Sequence, residues 1–130
     1  MENGIKYLET KTAKYPLVFN INVIEAIQDK YGNLDKWSDA IEGIIRNEDG
    51  EITTKETPHM KDIKFFIKEA INEGIDIENE ETENKRQFVT EKQVGRILSE
   101  IGQGSVLETI KDLTVSSVKT DKQIEEEKNV

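Results

Sequence analysis

The chain has 130 residues, 27 acidic against 18 basic, a net charge of −9 and no cysteine. That length suits one domain able to bury a core without help from metals or disulfides, and the missing thiols exclude both a disulfide framework and a zinc–thiolate site. The acidic surface repels phosphate backbones and anionic membranes, so neither nucleic acid nor membrane is expected as a partner.

Ile5-Lys6-Tyr7-Leu8-Glu9 and Tyr15-Pro16-Leu17-Val18-Phe19 read as two strands of a hairpin spanning 5–19, with Thr10 to Lys14 as its turn. Tyr15, Leu17 and Phe19 share one face by the two-residue period, and Pro16 leaves one ladder position without a donor. The turn lacks Asn-Gly or Asp-Gly. An isolated hairpin is marginal in water, so its apolar face must sit on helices.

A first helix is predicted over 21–31, capped by Asn20 or Asn22 and stopped by Gly32. Asn33 caps a second helix over 34–46, whose stripe is Leu34, Trp37, Ile41, Ile44 and Ile45. Asn47 to Glu56 is a polar loop with a turn at Asp49-Gly50 and room for a small second hairpin through Ile52-Thr53-Thr54. Thr57-Pro58 opens a third helix over 58–73, striped by Met60, Ile63, Phe66, Ile67, Ala70 and Ile71 and closed by Gly74. Asp76 to Gln87 reads as a mobile acidic spacer. Thr90 to Gln93 matches a capping box for a fourth helix over 91–101, stopped by Gly102. Ser105 to Glu108 matches a second box, for a helix over 106–113. The whole reads as an α+β, mainly α domain over 1–118, a hairpin packed on a compact bundle of about five helices, followed by a polar flexible tail over 119–130.

No constellation of residues carries catalytic chemistry. His59 is the single histidine and reads as a surface residue at a helix start, with no nucleophile or acid marked beside it. The acidic run Asp76, Glu78, Glu80, Glu81, Glu83 has no internal glycine and fails the calcium-loop pattern. Asn47 to Glu51 reads as a turn. Gly102-Gln103-Gly104 follows a helix and lacks the Lys-Ser/Thr of a phosphate loop. The expectation is therefore a chain with no catalytic residue, no cofactor and no metal. No apolar run approaches the roughly 20 residues that span a bilayer. Met1-Glu2-Asn3-Gly4 has neither the basic region nor the apolar core of a signal peptide, which reads as a soluble cytosolic protein.

The stretch Lys14-Tyr15-Pro16-Leu17-Val18-Phe19, then Asp29-Lys30-Tyr31-Gly32 and Asn33-Leu34, resembles the small tail assembly chaperones of long-tailed bacteriophages and prophages. So does the later layout: an apolar helix from Ile63 to Ala70, an acidic insertion, and Thr-Glu-x-x-Val-Gly at Thr90 to Gly95. The acidic insertion is long for that family. The resemblance implies a non-enzymatic protein that binds the tape measure protein, and in some systems the tail tube protein, and keeps the former soluble before the tube polymerises. It implies a place in the cytoplasm of the bacterial host rather than in the mature virion, and it admits self-association. The candidate partner-binding residues are the aromatics near the joint, Tyr15, Phe19, Tyr31 and Trp37, each of which also has a plain role in packing the hairpin on the helices. Two other classes are compatible with the sequence: another phage or mobile-element interaction protein with one defined partner, and a small enzyme or metal protein.

Overall fold

A computed structural model describes residues 5–114. The expectations for 1–4, for 115–118 and for the tail over 119–130 fall outside them. In chain order the elements are β1 (Lys6–Glu9), β2 (Lys14–Leu17), α1 (Ile21–Tyr31), α2 (Leu34–Glu42), β3 (Ile44–Arg46), β4 (Ile52–Lys55), α3 (Met60–Glu81) and α4 (Glu91–Ile101). A fifth helix, α5, covers residues 103–114. The architecture is α+β, mainly α, with two separate two-stranded antiparallel sheets among the described residues.

α3 is the spine. Ile63, Phe66, Ile67, Ala70, Ile71, Gly74 and Ile75 fall on one helical stripe, and all are buried. β2, α1, α2 and α4 each lie against this helix. Leu17, Val23, Ile27, Val94 and Val106 come in from those elements and from α5 to complete the core, and no polar or charged residue among those described is buried with them.

The first hairpin pairs Lys6 with Leu17, Tyr7 with Pro16, Leu8 with Tyr15 and Glu9 with Lys14. Its turn does without Asn-Gly because Thr10 supplies the geometry. The Thr10 amide donates to the Ala13 carbonyl at 2.8 Å, and the Thr10 hydroxyl oxygen accepts from the amides of Thr12 and Ala13 at 3.3 and 3.1 Å. Docking on α3 is direct: the Val18 amide donates to the Ala70 carbonyl at 3.1 Å.

Most helix ends follow the sequence. Asn20 caps α1, its side-chain oxygen accepting from Asn22 and Val23, and Gly32 closes it with a positive φ. Asn33 caps α2 by accepting from Lys36, and Thr90 with Gln93 forms the reciprocal capping box of α4. Gly102 stops α4, its amide donating to the Leu98 carbonyl.

The second strand runs Lys14–Leu17 and stops short of Phe19, and five helix and loop boundaries also differ from the sequence reading. The helix expected over 34–46 ends at Glu42, where Gly43 turns left-handed, and Ile44 and Ile45 leave the stripe to form β3. A side chain at Gly43 is impossible without movement, since a Cβ there would lie 2.5 Å from the Glu56 carbonyl oxygen. β3 and β4 then make the small hairpin, with Arg46 reaching back to Asp39 on α2 at 2.7 Å. The Thr57-Pro58 start is replaced by His59, after which α3 begins at Met60 with no side-chain cap. The glycine read as the end of that helix, Gly74, is instead deep inside it, because Pro16 packs where its side chain would be; a Cβ would sit 2.8 Å from the Pro16 Cβ. Glycine in a helix interior costs only about 1 kcal/mol, and burial of Ile75 beyond it offsets that.

The remaining two corrections concern the acidic spacer and α5. Asp76 to Glu81 continues α3 instead of forming a mobile link. The return segment is held against the same helix, since the Asn79 side chain bonds both backbone groups of Arg86 and the Asn72 side chain both those of Val89. α5 starts one turn ahead of the expected 106, because the Gly102 carbonyl already accepts from the Val106 amide at 3.2 Å, so Ser105 lies within the helix and caps nothing.

Two helical glycines, Gly74 and Gly95, separate steric from conformational effects. Gly74→Ala is expected to lower stability by about 1–3 kcal/mol through overpacking against Pro16. Gly95→Ala, whose Cβ would meet Lys64 at an ordinary 3.5 Å, is expected to raise it by about 0.5–1 kcal/mol. Urea denaturation of both variants checks the pair; equal shifts of the same sign would refute the close approach of Pro16.

Candidate interaction surface

The four aromatics of the joint do not converge on one patch. Two of them meet at Phe66: the Trp37 ring lies 4.9 Å from it and the Phe19 ring 5.8 Å, both tilted. Trp37 is 6% exposed and belongs to the core, and Phe19 is half-buried against it. Tyr31 stands edge-on to Phe65 at 5.9 Å, and Lys30 lies 4.1 Å above the same Phe65 ring. The Tyr31 hydroxyl donates to the Asp62 carboxylate. Tyr15 is capped by the Arg86 guanidinium at 4.7 Å, and that arginine also donates to the Lys14 carbonyl at 2.8 Å. Tyr15, Phe19 and Tyr31 are thus each half-buried, while Trp37 is buried and forms a wall.

That wall belongs to a cleft between α2 and α5, with about 350 Å³ of open space. Trp37, Ser38, Ile41 and Glu42 line it from α2, and Leu107, Ile110, Lys111 and Thr114 from α5; Lys55 and Pro58 also border it. The spacing on each side is one helical face, three and four residues apart. Leu107 is half-buried, whereas Glu42, Lys55 and Lys111 are exposed at the rim. The indole N–H of Trp37 is buried and has no acceptor among the described residues. Such an orphan donor costs about 1–3 kcal/mol. The sequence marked Trp37 and the apolar positions of α5, but not their juxtaposition, since nothing in either helix alone says that it faces the other. Nothing in the sequence placed Lys55 or Pro58 at this cleft.

The groups weighed for chemistry are placed as follows. His59 is exposed, with Glu56 and Asp62 each 3.5 Å from its ring nitrogens. Among the described residues no group of three or more histidine, aspartate or glutamate side chains is placed to hold a metal ion, and no helix is long and apolar enough to cross a membrane. Exposed large apolar side chains outside the cleft are Tyr7, Ile21, Leu34, Ile45, Ile52, Met60 and Phe88.

No family model matches the chain, and no curated protein or solved structure does either.

Partial burial, and then the hydrogen bond to Asp62, push the Tyr31 hydroxyl well above the ordinary tyrosine value. The neutral form is the one that fits the fold. Its contribution is fully present below pH 10.0, the ordinary value, and is lost as pH rises towards the higher value of the folded state. The urea midpoint should therefore fall in alkali, and Tyr31→Phe should flatten that fall. An unchanged alkaline profile in the variant would show that the phenol does not feel Asp62.

Proposed function

We propose that this chain is a tail assembly chaperone of a long-tailed phage or prophage. In this reading it holds an amphipathic segment of the tape measure protein in the cleft between α2 and α5. The observation that carries the reading is the cleft itself: an apolar floor of Trp37, Ile41, Leu107 and Ile110 between two helices, with charge at its rim. A groove between helices is the usual seat for the apolar face of a third helix, whose anchors recur at three- and four-residue spacing. Its volume stands at the low end of small-molecule pockets, roughly 300–1,000 Å³.

Two further features support it. A tape measure protein is long and helical with exposed apolar stripes, hence prone to aggregate. A carrier with a net charge of −9 would keep the coated complex in solution. The joint from Lys14 to Leu34, which carries the resemblance to the family, holds in structure as strand, helix, Gly32 and capped second helix. The same reading places the protein in the host cytoplasm and admits the tail tube protein as a second client.

Co-expression tests the reading. The cognate tape measure protein should remain soluble with this chain and precipitate without it, and Leu107→Asp should abolish the rescue while the thermal melt by circular dichroism stays cooperative. Equal precipitation with and without the wild-type chain would sink the proposal. Trp37 is the only tryptophan, so its fluorescence provides a direct readout. A tape measure peptide seated in the cleft should shift its emission, and binding with no change in emission would move the site elsewhere.

A further inference from the structure

A second exposed apolar feature lies away from the cleft. Phe88 is 56% exposed, on the segment between α3 and α4. An aromatic ring on a loose loop would mean little. This segment is not loose. The Asn72 side-chain nitrogen donates to the Val89 carbonyl at 3.1 Å, and its oxygen accepts from the Val89 amide at 2.8 Å. Two helical turns on, the Asn79 side-chain nitrogen donates to the Arg86 carbonyl at 2.9 Å, and its oxygen accepts from the Arg86 amide at 2.8 Å. Each asparagine thus grips one residue by both backbone groups, as a neighbouring strand would. Phe88 sits between the two grips, on a backbone whose order does not have to be created on binding.

Beside the ring is a shallow pocket of about 260 Å³, lined by Asn22, Val23, Glu69, Asn72, Glu73, Asp76 and Phe88. Ile21, 75% exposed, immediately precedes Asn22 at the start of α1. The lining therefore sets the Phe88 ring beside three carboxylates and two carboxamides, with no lysine or arginine. Glu69, Glu73 and Asp76 fall at i, i+4 and i+7 on α3, one face of the helix. None of the three forms a salt bridge with any described residue. Like charges at that spacing weaken a helix. A cation brought to this face relieves that repulsion.

We propose that the Phe88 pocket is a second docking site, taking a partner protein segment that presents an apolar side chain flanked by lysine or arginine. The aromatic ring supplies the anchor, and the three carboxylates supply orientation and rate of encounter. Another copy of this chain fits poorly, because two molecules of net charge −9 repel. The inference stands on residues outside the α2–α5 cleft and does not depend on the chaperone reading.

The test uses the full chain, isotopically labelled, and a synthetic amphipathic peptide of leucine and lysine of about 15 residues, long enough to form a helix. Its leucine–glutamate counterpart is the control. Resonance perturbations should centre on residues 21–23, 69–76 and 88, and the glutamate peptide should not bind. Phe88→Ser should weaken binding about tenfold, as loss of a central anchor does. Glu73→Lys should weaken it comparably and reduce its salt dependence. Ile52→Ser, which removes an equally exposed apolar side chain on β4, should leave it unchanged. Undiminished binding by Phe88→Ser would overturn the proposal. So would perturbations spread over the acidic surface, or centred on Trp37. Concentration-dependent shifts at Phe88 without peptide would identify the occupant as a second copy and equally overturn it.

Discussion

Four elements, β2, α1, α2 and α4, are placed by one requirement, that the apolar stripe of α3 from Ile63 to Ile75 be covered. It is the longest buried surface on any single element, and Phe66 stands near its start with Trp37 and Phe19 against its ring. A helix with such a stripe is not stable alone in water, because helical stability in proteins comes chiefly from packing an amphipathic face. β2, α1, α2 and α4 are all short. None has an extensive core of its own, and each acquires its position by lying on α3. Replacing Phe66 by alanine would remove the shared neighbour of two aromatic rings, a loss of about 3–5 kcal/mol for a buried phenylalanine.

Close approach and polar clamps refine this arrangement. Pro16 rests on Gly74, which brings the backbone of β2 near enough for Val18 to donate to the carbonyl of Ala70. On another side, the asparagine side chains at 72 and 79 bind the returning backbone of 86–89 at four points. The hydrophobic stripe is non-directional and says only that something must cover α3. The glycine and the two amides add direction, fixing which strand lies there and at what height the chain returns.

Two surfaces differ in character. The α2–α5 cleft is apolar at its floor, with carboxylate and ammonium groups at its rim. The Phe88 pocket sets one exposed aromatic ring beside three carboxylates, which are its only charged groups. Both are proposed here as places where another polypeptide lies. For an assembly chaperone, as proposed, two such sites on opposite chemistry would let one small acidic protein hold an apolar helix and still present a separate face to a basic partner.

Local chemistry determined much of the fold. Capping residues Asn20, Asn33 and Thr90, the stops at Gly32 and Gly102, and the helical period of Ile63 to Ile71 all act within a few residues, so their effects are readable along the chain. The hairpin, the mainly helical class and the core membership of Trp37 follow from the same short-range patterns. Tertiary structure decided the rest, and for a common reason. Gly74 looks like a helix stop until Pro16 is seen filling the space of its side chain. Ile44 and Ile45 continue a helical stripe on paper, yet Gly43 is pressed against the carbonyl of Glu56, thirteen residues on, and the isoleucines become a strand. The acidic run after Asp76 resembles a solvated spacer, but the helix persists through Glu81 and Asn79 folds the chain back. The candidate cleft and the Phe88 pocket belong wholly to this second class, since each is a juxtaposition of residues far apart in sequence. Period, caps and charge are properties of a segment, whereas a close contact, a groove or an unneutralised face is a property of two segments and exists only once both are in place.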